Sequence, residues 1–171
     1  TAAASDYFGH SMAMDGDTLV VGAYGVDISG KTSQGAAYIF YRDQGGEDNW
    51  GYVTRITASD GDQDDMFGND VAIRGDTVVV SAYRDDDRRG AAYVFYRDHM
   101  GTDNWGQVKK LVAPSRTPAD FFGQSVAVDG DVIAVGADSD DYGTYTNAGS
   151  AYVYYRNEAG TDNWKKKKTL N

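Results

Sequence analysis

Short apolar runs, separated by stretches rich in Gly, Asp and Asn, succeed one another along the chain. Phe8 to Met14 is the first of them, and Val71-Ala72-Ile73 and Val126-Ala127-Val128 hold the same place further on. Each is followed by a turn step: Asp15-Gly16, Arg74-Gly75 and Asp129-Gly130. Such a step between apolar runs predicts a two-residue hairpin, because positive φ is tolerated there. The next runs, Thr18 to Ala23, Thr77 to Ala82 and Val132 to Ala137, are dense in Val, Ile and Ala and read as strands buried on both faces. A third set, Ala36 to Arg42, Ala91 to Arg97 and Ser150 to Arg156, carries the Tyr, Phe, Ile and Val of a packed strand. A fourth starts at Trp50, Trp105 and Trp164 and includes Val53 to Ile56 and Val108 to Val112.

The pattern is a repeat. Phe-Gly pairs stand at 8–9, 67–68 and 122–123, spaced 59 and 55 residues apart. Four short antiparallel strands in each period of about 57 residues describe one blade of a β-propeller. The expected fold is therefore all-β, with three four-stranded blades over approximately 6–57, 65–112 and 120–171. After Trp105 the chain runs through Lys109 to Val112 into a polar loop and the next Phe-Gly; after Trp164 it reaches Leu170 and the matching loop is Thr1 to Asp6. The last strand is thus expected to pair across the termini. The set of three would be completed to six by a second chain, or belong to a larger propeller, since open sheet edges invite pairing.

These residues resemble FG-GAP repeats, which build the β-propeller of integrin α subunits and of many surface proteins. The Phe-Gly pairs match the first half of the motif. Gly22-Ala23-Tyr24, Ser81-Ala82-Tyr83 and Gly136-Ala137-Asp138 match the second, without its proline. The resemblance spans the whole chain and implies a non-catalytic extracellular or cell-surface binding and adhesion module. Integrin-type blades often carry a DxDxDG calcium loop between strands one and two. Here that connection is only Asp15-Gly16-Asp17, Arg74-Gly75-Asp76 or Asp129-Gly130-Asp131, too short to supply six to eight oxygens.

Charge adds a location for function. The net charge of −10 disfavours nucleic acid and anionic lipid as partners. No apolar run nears the ~20 residues of a membrane span, so membrane insertion is not expected. Thirteen of the 26 acidic residues fall in the loops after strands two and four, which share one rim of a propeller. Asp60, Asp62 and Asp64 have the alternate spacing of calcium loops, and Asp85, Asp87, Asp138 and Asp140 stand in shorter acidic runs. Ca²⁺ in these loops is one reading; solvated Asp residues that serve turns are the other. Tyr142 and Tyr145, in the longest loop, are the candidate contacts for a protein or glycan partner.

Other features read as structural. Arg74-Gly75-Asp76 spells a short adhesion motif but sits in a hairpin turn. The strand-three aromatics and the three Trp recur in register, as core and interblade packing does. Lys165 to Lys168 read as a run that alternates across the last strand or sits at a frayed end, or as an electrostatic contact to an acidic partner. With His10 and His99 the only histidines, and no nucleophile or phosphate-loop motif, catalysis finds little support. The alternative function is structural self-assembly through blade pairing, and a third is carboxylate-based hydrolase or lyase chemistry on a propeller scaffold.

Overall fold

The computed structural model describes residues 3–115, 117–157 and 163–171; Thr1, where the loop matched across the termini begins, lies outside them. Twelve strands form three separate four-stranded antiparallel sheets in sequence order. The first holds β1 (Met12–Asp15), β2 (Thr18–Ala23), β3 (Ala36–Tyr41) and β4 (Gly51–Ile56). The second holds β5 (Val71–Arg74), β6 (Thr77–Ala82), β7 (Ala91–Tyr96) and β8 (Gly106–Leu111). The third holds β9 (Ser125–Asp129), β10 (Val132–Ala137), β11 (Ser150–Tyr155) and β12 (Lys165–Leu170). These are three blades of a partial β-propeller. Strands two and three begin where the apolar runs begin, because consecutive β-branched and aromatic residues favour the pleated chain.

Three expectations are corrected. The last strand does not pair across the termini: β12 is hydrogen-bonded to β11 of its own blade, as β4 is to β3 and β8 to β7. A hairpin closure within a repeat costs less loop entropy than exchange with a distant strand. The first run is also shorter than its apolar residues suggest. Phe8-Gly9 lies before β1, with Gly9 at φ 90° and its N–H on the Gly22 carbonyl at 3.0 Å. Finally, the hairpin loops are Gly16-Asp17, Gly75-Asp76 and Gly130-Asp131, one residue later than the Asp-Gly reading. Glycine takes the positive φ at the first loop position, 54–56° in all three, and the aspartate follows it. That aspartate is then free to meet the arginine ending strand three: Arg42–Asp17 at 3.1 Å, Arg97–Asp76 at 2.9 Å and Arg156–Asp131 at 3.0 Å.

The core lies between blades. Val20, Ala37 and Ile39 of the first blade pack on Phe67, Val78, Val80, Tyr93, Phe95 and Trp105 of the second. Val79, Ala92, Val94 and Leu111 on the other face of the second blade pack on Phe122, Ile133, Val135, Tyr152, Tyr154 and Trp164 of the third. Each interface thus sets an aliphatic face against an aromatic one. The Phe of the Phe-Gly pair is wholly buried at 67 and 122. Its glycine brings the backbones together: a Cβ on Gly68 would stand 2.2 Å from the Ala36 carbonyl oxygen, and one on Gly123 2.5 Å from that of Ala91. Polar clasps close the rims. The Trp105 and Trp164 indoles donate to the Tyr41 and Tyr96 hydroxyls of the preceding blade, both at 2.9 Å. Arg97 and Arg156 stack over the same Tyr–Trp pairs at 5.0–5.2 Å. Near the innermost strands, Asp70 accepts from Ser11 Oγ (2.8 Å) and the Val126 N–H (2.8 Å), joining all three blades.

Phe122→Ala empties a fully buried site between two blades. It is expected to lower unfolding free energy by about 3–5 kcal/mol, read as a fall in the urea midpoint.

Candidate functional site

The loops after strands two and four lie on one rim, as the antiparallel order requires. In each repeat the acidic residue two positions before the Phe folds its own loop. Asp65 accepts the Asp62 N–H at 2.6 Å, Asp6 accepts the Ala3 N–H at 2.6 Å, and Asp120 accepts the Thr117 N–H at 2.8 Å and its hydroxyl. These are turn-forming aspartates. Asp65 and Asp120 are only 5% and 2% exposed. Burial, opposed by the Asp62 N–H and reinforced by the Asp85 charge, pushes the Asp65 carboxyl up to about 6.

The expected calcium-loop residues do not share one site. Asp60 and Asp85 do come together, on either side of a cation the chain supplies. Lys110 Nζ donates to Asp60 Oδ2 and to Asp85 Oδ1, both at 2.8 Å. Tyr93 Oη lies 3.0 Å from both Asp60 Oδ1 and Asp85 Oδ1 and shares its one proton between them. Desolvation opposes the charge on Lys110, but the two carboxylates prevail and hold its ammonium above the usual range. Burial, then the same carboxylates, raise the Tyr93 phenol far beyond its ordinary value. Sequence reasoning missed Lys110 and Tyr93. The signal was there in the strand register, since Tyr93 and Lys110 are direct partners across β7 and β8.

Of the remaining carboxylates, Asp62, Asp64 and Asp87 line one recess of the second blade, and Asp138 and Asp140 stand in the third. Asp62 caps Gln63 N–H at 2.8 Å and faces Lys31 Nζ at 3.5 Å. Asp64 accepts from the Gln63 side chain at 3.3 Å. Asp138 accepts the Ser139 hydroxyl at 3.1 Å, and buried Asp140 accepts the Tyr152 hydroxyl at 2.6 Å. Asp86, Asp87 and Arg88 take left-handed φ of 50–64° in a tight turn after Asp85. Among the described residues, no three His, Cys, Asp or Glu side chains are grouped to hold a metal ion. Calcium takes six to eight oxygens, and an ammonium already sits between Asp60 and Asp85. Asp60 and Asp85 are thus balanced by a cation of the chain itself.

Two features of the rim face solvent. A recess of about 870 Å³ is lined by Asp62, Gln63, Asp64, Asp65, Arg84, Asp86, Asp87 and Arg88. In the third blade, Tyr142 and Tyr145 exchange backbone N–H···O bonds of 3.0 Å and form a small hairpin that leaves their rings 53% and 72% exposed. Asp141 holds its base by accepting the Asn147 N–H at 2.8 Å. The Arg74-Gly75-Asp76 turn is engaged within the fold: Arg74 meets Asp15 (3.7 Å) and Asp129 (3.4 Å), Gly75 N–H donates to Asp15 (2.6 Å), and Asp76 binds Arg97. Lys165 to Lys168 are exposed along β12, with Lys166 over the Tyr152 ring at 6.0 Å.

Three sheets of this order, with a Phe-Gly step entering each, define a repeat protein of the propeller class. The FG-GAP repeat profile matches residues 2–40, 50–95 and 105–154, and the chain belongs to that family. Its second matched segment starts at Trp50 and runs from β4 through β7, so the sequence repeat is one strand out of phase with the structural blade. No curated protein matches the chain. FG-GAP repeats occur in binding and adhesion propeller domains, are typical of extracellular proteins and are typically non-enzymatic. No helix among the described residues is long and apolar enough to cross a membrane.

Two outcomes follow from the carboxylate network. Lys110→Met leaves Asp60 and Asp85 facing each other without a cation, and is expected to cost on the order of 2 kcal/mol in denaturant unfolding at pH 7. Asp65 holds a proton in the folded chain up to about pH 6, whereas the unfolded chain releases it near 3.8. Its contribution therefore falls as pH rises through that window, by on the order of 1–3 kcal/mol. Asp65→Asn should gain stability relative to the parent between pH 4 and pH 6.5, measured by thermal melts across that range.

Proposed function

We propose that this chain is a non-catalytic binding module of an extracellular or cell-surface protein, engaging a protein or glycan partner through its acidic loop rim. The observation that carries the reading is the Tyr142–Tyr145 hairpin. Two aromatic rings project from a loop whose backbone is fixed by its own hydrogen bonds, on a rim of clustered carboxylates. Rigid tyrosines supply contact area at low entropic cost and stack on sugars or protein side chains. The flanking carboxylates favour a basic protein surface or polar hydroxyls and repel anionic ones.

The corresponding bridge of the first blade joins Ile28 and Lys31, and that loop is spent on the second blade, where Ser33 and Gln34 carbonyls accept from Met66 and Phe67. The test is binding to arrayed glycans and arrayed extracellular proteins. Tyr142→Ala with Tyr145→Ala should reduce capture of any ligand so found by about tenfold or more, with an unchanged melting temperature. Undiminished capture by the double variant would overturn the assignment of the rim tyrosines.

A further inference from the structure

The recess of the second blade gathers polar side chains of both signs. Its walls are the loop that enters the blade, with Asp64, and the turn that leaves β6, with Arg84, Asp87 and Arg88. The Arg84 N–H donates to the Asp65 carbonyl at 3.3 Å and joins the two walls. Neighbouring blades brace both. The Asp64 N–H donates to the Thr32 carbonyl of the first blade at 2.9 Å, and the Phe121 N–H, on the way into the third, donates to the Arg88 carbonyl at 3.1 Å. The shape of the recess is therefore set by contacts inside the three blades.

Arg84 separates itself from the other stacked arginines. Its guanidinium lies 5.4 Å from the Tyr83 ring centre, as Arg97 and Arg156 lie 5.0–5.2 Å from their Tyr–Trp pairs. All three Nε atoms are enclosed. Those of Arg97 and Arg156 face a carboxylate, Asp76 at 2.9 Å and Asp131 at 3.0 Å. Among the described residues no acceptor meets the Arg84 Nε, although the rim around it is rich in aspartate. The stack is itself well anchored: Tyr83 packs on Phe121 at 5.7 Å, and its hydroxyl donates to Met66 Sδ at 3.3 Å. Asp87 and Arg88 stand beside it at left-handed φ of 60° and 64°, both exposed.

We propose that this recess binds a neutral glycan, with Arg84 and Arg88 donating to sugar hydroxyls and Asp64 and Asp87 accepting from them. The inference rests on the rim being the binding surface, and it names the class of ligand. A ligand of one charge would gain from one set of side chains and be opposed by the other. A hydroxyl both donates and accepts, so a sugar serves both sets without burying a net charge. Hydroxyls on adjacent carbons also match the paired sites of a guanidinium or a carboxylate. The stack on Tyr83 holds the Arg84 fork in place beforehand, so less side-chain freedom is lost on binding. The volume of about 870 Å³ is that of a pocket enclosing a small ligand, which favours sugar units over a protein surface.

The experiment is saturation-transfer NMR of the purified chain with neutral di- and trisaccharides of glucose, galactose and mannose, their uronic-acid counterparts alongside, and calorimetric titration of those that respond. At least one neutral sugar should bind. Arg84→Met and Asp87→Asn should each weaken it by about tenfold. Asp87 is exposed and asparagine tolerates its left-handed backbone, so that variant should fold with an unchanged melting temperature and keeps the test decisive if Arg84→Met does not. A neutral sugar that both variants bind undiminished would overturn the recess as its site. Preference for the uronic acids would overturn the neutral class. Capture of proteins but no sugar would overturn the inference and leave the binding function of the rim standing, whereas capture of neither would overturn both.

Discussion

Everything in this molecule depends on the fit of an aromatic blade face against the aliphatic face of the blade before it. A four-stranded sheet has two faces and cannot bury either alone. The second blade, with a neighbour on each side, has every residue of its second strand buried. The same strand in the third blade alternates between buried and half-buried, since only one of its faces is covered. Burial here is a property of the stack and not of the sheet.

The Phe-Gly step makes the fit possible. The phenylalanine fills the space between blades while the glycine, at positive φ, admits the carbonyl of the preceding blade. A side chain at the glycine would force the backbones apart, and the phenylalanine would then lose its dispersion contacts. Around this apolar centre, Trp–Tyr hydrogen bonds, stacked arginines and Asp70 fix the rotation of each blade on the next. Packing supplies the energy, and the directional bonds select one register.

The acidity of the rim has two origins that look alike in one dimension. Some aspartates are loop parts: Asp65 and Asp120 each bind the backbone three residues upstream, and Asp140 receives a buried tyrosine hydroxyl. Others remain at the surface, around the recess of the second blade and beside the tyrosine hairpin. Asp60 and Asp85 belong to a third kind, balanced by the Lys110 ammonium. Spacing along the chain cannot separate these kinds, because each depends on what the folded backbone places beside the carboxylate.

The sequence by itself determined the repeat, the bounds of strand two, the start of strand three and the propeller class, because those rest on periodicity, β-propensity and turn chemistry, which are local. The exposure of Tyr142 and Tyr145 was legible for the same reason: they lie in a polar loop, away from any apolar run. Only the tertiary structure decided that β12 stays in its own blade, that the hairpin turns centre on Gly-Asp, and that Lys110 stands between Asp60 and Asp85. Strand exchange and in-blade pairing leave the same residue pattern, and only the strand register separates them. The partnering of Lys110 joins residues 50 and 25 positions apart, a proximity that exists only after two loops and a strand meet on the rim.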